Sequence, residues 1–102
     1  MLYRHKCQIC GLVLETPSGP YAEAAHIRPL GRPHDGPDEA SNILCLCPNH
    51  HVLLDTGALY IDDDHQVRAS SSNDPLGTLA VAKNAPLNPT HLAYHRSVIA
   101  EG

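Results

Sequence analysis

Residues 21–57 read YAEAAHIRPLGRPHDGPDEASNILCLCPNHHVLLDTG, and the fold turns on how this stretch divides. Tyr21–Ile27 is a strand candidate bounded by turn-forming residues. Arg28–Ser41 holds three prolines and two glycines and should be a loop. A loop of that length with no structure of its own is uncommon in so small a domain, and is usually functional. Ile43–Leu46 is a short apolar run. Pro48 suits the first turn of a helix reaching about Asp55, which Gly57 closes.

The helix starts on Cys45-Leu-Cys47-Pro-Asn-His50-His51, and Cys7-Gln-Ile-Cys10-Gly11 lies upstream. Two thiolates separated by two residues can grip one tetrahedral Zn²⁺, and Cys47-x-x-His50 has the same bite. Cys7, Cys10, Cys47 and His50 are the expected ligands of a structural zinc. The rival set puts Cys45 in place of His50, with a one-residue spacer that chelates less well. Cys45 is otherwise left to the core, where free cysteine behaves as a small hydrophobe.

Composition calls for such a staple. The 102 residues include no Trp, no Phe and one Met, so a core of Leu, Ile, Val and Ala is thin. Structural zinc adds folding free energy outright. The first seven residues have no apolar core of a secretory signal, and no apolar run approaches a membrane span. The expectation is a cytoplasmic protein without a membrane partner, whose thiols stay reduced and available to metal.

Outside these motifs the pattern is mixed. Met1–Lys6 could end a helix begun upstream. Leu12–Glu15 alternates as a short strand that Pro17-Ser-Gly-Pro20 ends, with Tyr21–Ile27 the second strand. Tyr60-Ile61 and Gln66-Val67 flank Asp62-Asp-Asp-His65 as a small hairpin, and Ser70–Pro75 is polar and flexible. Pro89–Ala100 is the last helix, capped by Asn88 and packed through Leu92, Val98 and Ile99. The fold class is α+β, one domain over 1–102 with its core at about 21–57. A net charge of −4 counts against nucleic acid, weakly, because bound divalent cations would add positive charge where a phosphate sits.

With His26 at a strand end, Asn42 after the loop and His51 on the helix, the stretch Tyr21–Gly57 resembles the HNH, or ββα-metal, nuclease family. The resemblance implies that His26, Asn42 and His51 are the catalytic set. It implies DNA as substrate and a divalent ion (Mg²⁺, Mn²⁺, Co²⁺ or Ni²⁺) held by His51 with Asn42 or Asp55. Phosphodiester hydrolysis needs an activated water and a cation against developing charge. A neutral imidazole at His26 can take the water's proton near neutral pH. Asn42 can fix the loop, polarise His26, or approach the metal through its carbonyl. Asp55 lies one helical turn after His51, on the same face.

One position departs from the family pattern. Many HNH enzymes carry a metal-ligating Asp or His just before the first motif His, and here it is Ala25. The run His26–Asp38, with Asn42–His51 and Leu87–Arg96, is similar to the HNH domain of modification-dependent restriction enzymes, in which a separate SRA domain reads methylated cytosine. That resemblance implies a cleavage module excised from a longer protein, with an SRA-type domain as its covalent neighbour, and it leaves a dimer open. Arg28, Arg32 and Arg96 are the candidate phosphate contacts. The competing reading is a non-catalytic zinc-binding module of degenerate HNH fold that only holds DNA or a protein. A zinc deaminase fits poorly, because His26 has no adjacent Glu to shuttle protons.

Overall fold

The pleat of two short strands explains where the helix goes. Glu23–His26 pairs antiparallel with Ile43–Leu46, in the register Glu23↔Leu46, Ala24↔Cys45, Ala25↔Leu44 and His26↔Ile43. Alternation sends Glu23, Ala25, Leu44 and Leu46 to one face. On that face Ala25, Leu44 and Leu46 are completely buried, and the helix Pro48–Asp55 lies against both strands. The computed structural model describes residues 3–100.

Numbered along the chain, the strands are β1 Leu14–Thr16, β2 Gly19–Tyr21, β3 Glu23–His26, β4 Ile43–Leu46, β5 Leu59–Ile61, β6 Gln66–Ala69 and β7 Pro75–Thr78. The helices are α1 Pro48–Asp55 and α2 Pro89–Tyr94. β1–β2 and β3–β4 are two-stranded ribbons, while β5–β6–β7 form an antiparallel sheet of three. The mixed order is that of an α+β protein. No helix among the described residues is long and apolar enough to cross a membrane.

Helix α1 keeps its expected bounds. Pro48 opens it and Cys47 precedes it in extended conformation. Gly57 then takes φ +76, and a Cβ there would stand 2.4 Å from the Ile99 carbonyl oxygen, so handedness and space both require glycine. Leu54 packs inward at 0% exposure with Leu59, Ile61 and Val67 of the adjoining sheet.

Several expectations change. Pro17-Ser-Gly-Pro20 does not merely end a strand: it turns the chain into β2, which takes Tyr21, and the strand expected over Tyr21–Ile27 shortens to β3. Pro20 is tolerated because this ribbon has a free edge. Residues 3–6 form a turn closed by Lys6 N–H to the Tyr3 carbonyl, with φ positive at Arg4 and His5, rather than a helix end; Met1 and Leu2 lie outside the described residues. The segment expected to be flexible contributes β7, beginning at Pro75. The last helix is α-helical only to Tyr94 and continues with π geometry over His95–Ala100. Its buried side chains are His91, Leu92 and His95, whereas Val98 is exposed. Asn88 caps it as expected, its side-chain oxygen accepting from Thr90 N–H at 2.9 Å.

Candidate functional site

Cys7–Gly11 forms a knuckle, with Gly11 N–H donating to the Cys7 carbonyl and φ +77 at the glycine. The Cys7 Sγ lies 3.7 Å from His50 Nδ1, Cys47 Sγ 3.3 Å from the same nitrogen, and Cys10 Sγ 3.9 Å from Cys47 Sγ. A tetrahedral zinc with bonds of about 2.3 Å to sulfur has S···S edges of about 3.8 Å, so these spacings fit one ion. Among the described residues, Cys7, Cys10, Cys47 and His50 are the one group of three or more Cys, His, Asp or Glu side chains that close together. Burial alone would raise the Cys7 thiol, but N–H groups of Cys10, Cys47 and Ile9 outweigh it and hold the thiol below its ordinary value. Cys45 is absent from this cluster. It is half-buried rather than core, paired with Ala24 on the outer face of the ribbon, where burial raises its thiol.

Gln8, inside the knuckle, went unnoticed in the sequence. It is 3% exposed, accepts from Cys45 N–H at 2.7 Å and donates to the Ala80 carbonyl at 2.7 Å. It thereby pins the knuckle to β4 and to the chain after β7.

His51 lies between two carboxylates. Its Nδ1 is 2.8 Å from Glu23 Oε1 and its Nε2 is 3.1 Å from Asp55 Oδ2. Glu23 also accepts from the Tyr21 hydroxyl through its other oxygen, at 2.6 Å. The Tyr21 hydroxyl first, and the His51 ring second, hold the Glu23 carboxyl below its ordinary value. Two cis ligands on an octahedral ion with bonds of about 2.1 Å stand about 3.0 Å apart, which matches the His51–Asp55 spacing. These two residues could therefore hold a divalent ion from one side, with Nδ1–H donated to Glu23. Sequence reasoning missed Glu23. The signal was available: it precedes Ala25 by two residues on a strand, so it occupies the face on which the family's usual ligand would stand.

His26 ends β3 on the opposite side of the pleat, with Nε2 2.9 Å from Asp38 Oδ1. His26 and His51 share no hydrogen bond and no common partner among the described residues. Strand geometry separates the Cα atoms of Glu23 and His26 by about 10 Å. Asn42 is completely buried. Its Oδ1 accepts from Arg28 N–H at 2.9 Å, and its Nδ2 donates to the Arg28 and Pro37 carbonyls at 3.0 and 2.8 Å. Of the roles open to Asn42, this geometry performs loop fixing. Its Oδ1 faces Arg28 N–H, and Asn42 shares no hydrogen-bond partner with His51 among the described residues. Gly36 sits in the same loop, where a Cβ would meet the Arg28 carbonyl oxygen at 2.1 Å.

The three arginines differ. Arg96 donates to the Ile61 carbonyl at 3.0 Å and pairs with Asp63 at 3.1 Å. Arg32 is exposed on the loop. Arg28 donates through Nε to the His34 carbonyl at 2.7 Å and lies over the Tyr94 ring, 4.3 Å from its centre.

A family model described as HNH endonuclease matches residues 7–62, from the Cys7–Gly11 knuckle through β5. Among solved structures, a modification-dependent TagI restriction endonuclease is similar at 52% identity and a TM-score of 0.89. That match covers 93% of this chain and 33% of the other, so the chain spans about a third of the length of this relative. No curated protein matches. With the family model extending over more than half of the residues and the structural likeness over nearly all of them, the chain belongs to the HNH endonuclease family.

Proposed function

We propose that this chain is a metal-dependent DNA endonuclease module, the cleavage part of a restriction enzyme that acts on modified DNA. The observation that carries the reading is His51 flanked by Glu23 and Asp55, on a helix packed against the strand that ends in His26. Water attack on phosphorus forms a P–O bond as the bond to the leaving oxygen breaks. His26, with Nε2–H donated to Asp38, receives the water's proton on Nδ1, and the leaving alkoxide is protonated from solvent. Glu23 orients the His51 ring, and Asn42 fixes the loop that follows His26. His51 and Asp55 would hold a divalent ion, which would supply charge against that developing on the phosphate and leaving oxygen. Recognition of the modified base belongs to a separate domain of the SRA type in the parent protein. The TagI relative, described as modification dependent, supports this reading.

Plasmid nicking with added Mn²⁺ tests the proposal. Wild type nicks, and His26→Ala loses about 10²-fold or more, with zinc content and melting temperature unchanged. Equal residual nicking in both proteins means a contaminant. The non-catalytic zinc module, which the buried Ala25 and the single pair of candidate ligands favour, then takes over.

A further inference from the structure

Arg28 is fixed almost everywhere along its length. The Asn42 side chain holds its backbone N–H and C=O, its Nε donates to the His34 carbonyl, and its guanidinium stacks on Tyr94. The stack is itself held, because the Tyr94 hydroxyl shares a 2.7 Å hydrogen bond with His34 Nδ1, and the two rings meet edge to face at 85°. Only Nη1 and Nη2 are left without a hydrogen-bond partner or an ion pair among the described residues. Arg68 and Arg96, by contrast, are each paired with an aspartate. A guanidinium held flat with two free donors in a fork has the geometry that grips a phosphate by two parallel hydrogen bonds. It stands two residues after His26.

We propose that Tyr94 and His34 are positioning residues that hold Arg28 as a rigid clamp for a DNA backbone phosphate beside His26. The π-platform and the Nε anchor remove the rotamer freedom an exposed arginine would lose on binding. Helix α2, distant in sequence from the HNH stretch, thereby becomes part of the DNA-binding surface. The inference rests on DNA being the substrate.

A double-mutant cycle on the full chain, in a binding assay without added divalent ion, tests it. The probe is a short DNA duplex of mixed sequence, titrated at several salt concentrations. Arg28→Ala weakens binding and lowers the salt slope by about one counterion. Tyr94→Leu weakens binding by about threefold to tenfold in the Arg28 background, and has no further effect in Arg28→Ala. Tyr94→Phe, which keeps the ring, retains most of the affinity. Melting temperature and zinc content establish that each variant is folded. Equal loss on Tyr94→Leu with and without Arg28, or a lowered melting temperature at unchanged affinity, overturns the clamp and leaves Tyr94 a plain fold contact. Failure of wild-type nicking, or its survival in His26→Ala, would instead sink the nuclease reading, and the binding cycle is independent of that result.

Discussion

An imidazole that binds a metal through one ring nitrogen keeps its proton on the other, so the partner of each nitrogen decides which is available. In His51 both sides carry a carboxylate, but the two are not equivalent. Glu23 already accepts from the Tyr21 hydroxyl, whereas Asp55 has no other hydrogen-bond partner among the described residues and is half-exposed. On the proposed reading the Nδ1 proton belongs with Glu23, and the Nε2 lone pair faces the ion that His51 and Asp55 would hold. Glu23→Gln should keep the fold, since the side chain is partly exposed, yet should weaken His51 as a ligand. The expected outcome is a rise of about 10- to 100-fold in the Mn²⁺ concentration for half-maximal nicking, with unchanged melting temperature. An unchanged Mn²⁺ requirement would mean that Glu23 does not act through His51. Strand alternation puts residues 23 and 25 on one face, but that this face meets α1 is seen only once β3 pairs with β4 and the helix packs on both.

Elements meet here through single polar side chains as much as through apolar area. The π-helical turn is tied to the end of α1 by His95, 2% exposed, whose Nε2–H donates to the Leu54 carbonyl at 2.8 Å. Burial, first among the causes, holds the His95 ring below its ordinary value of 6.5, outweighing the Leu54 hydrogen bond and nearby Asp55, while Arg96 acts in the same direction as burial. The unfolded chain thus takes up this proton more readily than the folded one. Stability from His95 is complete above about pH 6.5 and is lost as pH falls toward the lower folded value. His95→Gln, which keeps a donor for Leu54, should show a smaller drop in melting temperature between pH 7.5 and 5.5 than wild type. Identical slopes would remove His95 from the acid response. Which elements were legible follows the same division. Helix α1 announced itself through Pro48 and Gly57, and the β5–β6 hairpin through Tyr60-Ile61 and Gln66-Val67 on either side of the acidic turn. β7 was hidden because Pro75-Leu-Gly-Thr78 has a strand-breaking composition and is exposed throughout, so tertiary pairing with β6 overrides local preference. The candidate zinc ligands were readable from spacing alone, whereas the roles of Asn42, Gln8 and Tyr94 arise from contacts across up to 72 residues of chain that no local pattern encodes.

At the scale of the whole molecule, three small sheets and two short α-helices among the described residues must be held in one body. The buried apolar set is mostly Leu and Ile, and two of its members, Cys7 and Cys47, belong to the candidate zinc cluster itself. That cluster joins the N-terminal knuckle to the start of α1, and Gln8 carries the link on to β4 and Ala80. Domains of this kind have net stabilities of about 5–15 kcal/mol, while structural zinc in small domains contributes roughly 10–16 kcal/mol. The metal term is as large as the whole margin. Stripping zinc with a strong chelator should therefore abolish the cooperative thermal transition rather than lower its midpoint by a few degrees, and re-addition of Zn²⁺ should restore it. Cys47→Ser and His50→Ala should behave like the chelated protein. Cys45→Ser, on the outer face of the ribbon, should bind one zinc and melt as wild type does. Metal content measured beside each melt decides the matter. A chelated chain that still unfolds cooperatively near the wild-type temperature would mean that the Leu and Ile core suffices alone, and zinc loss in Cys45→Ser would reassign the ligand set.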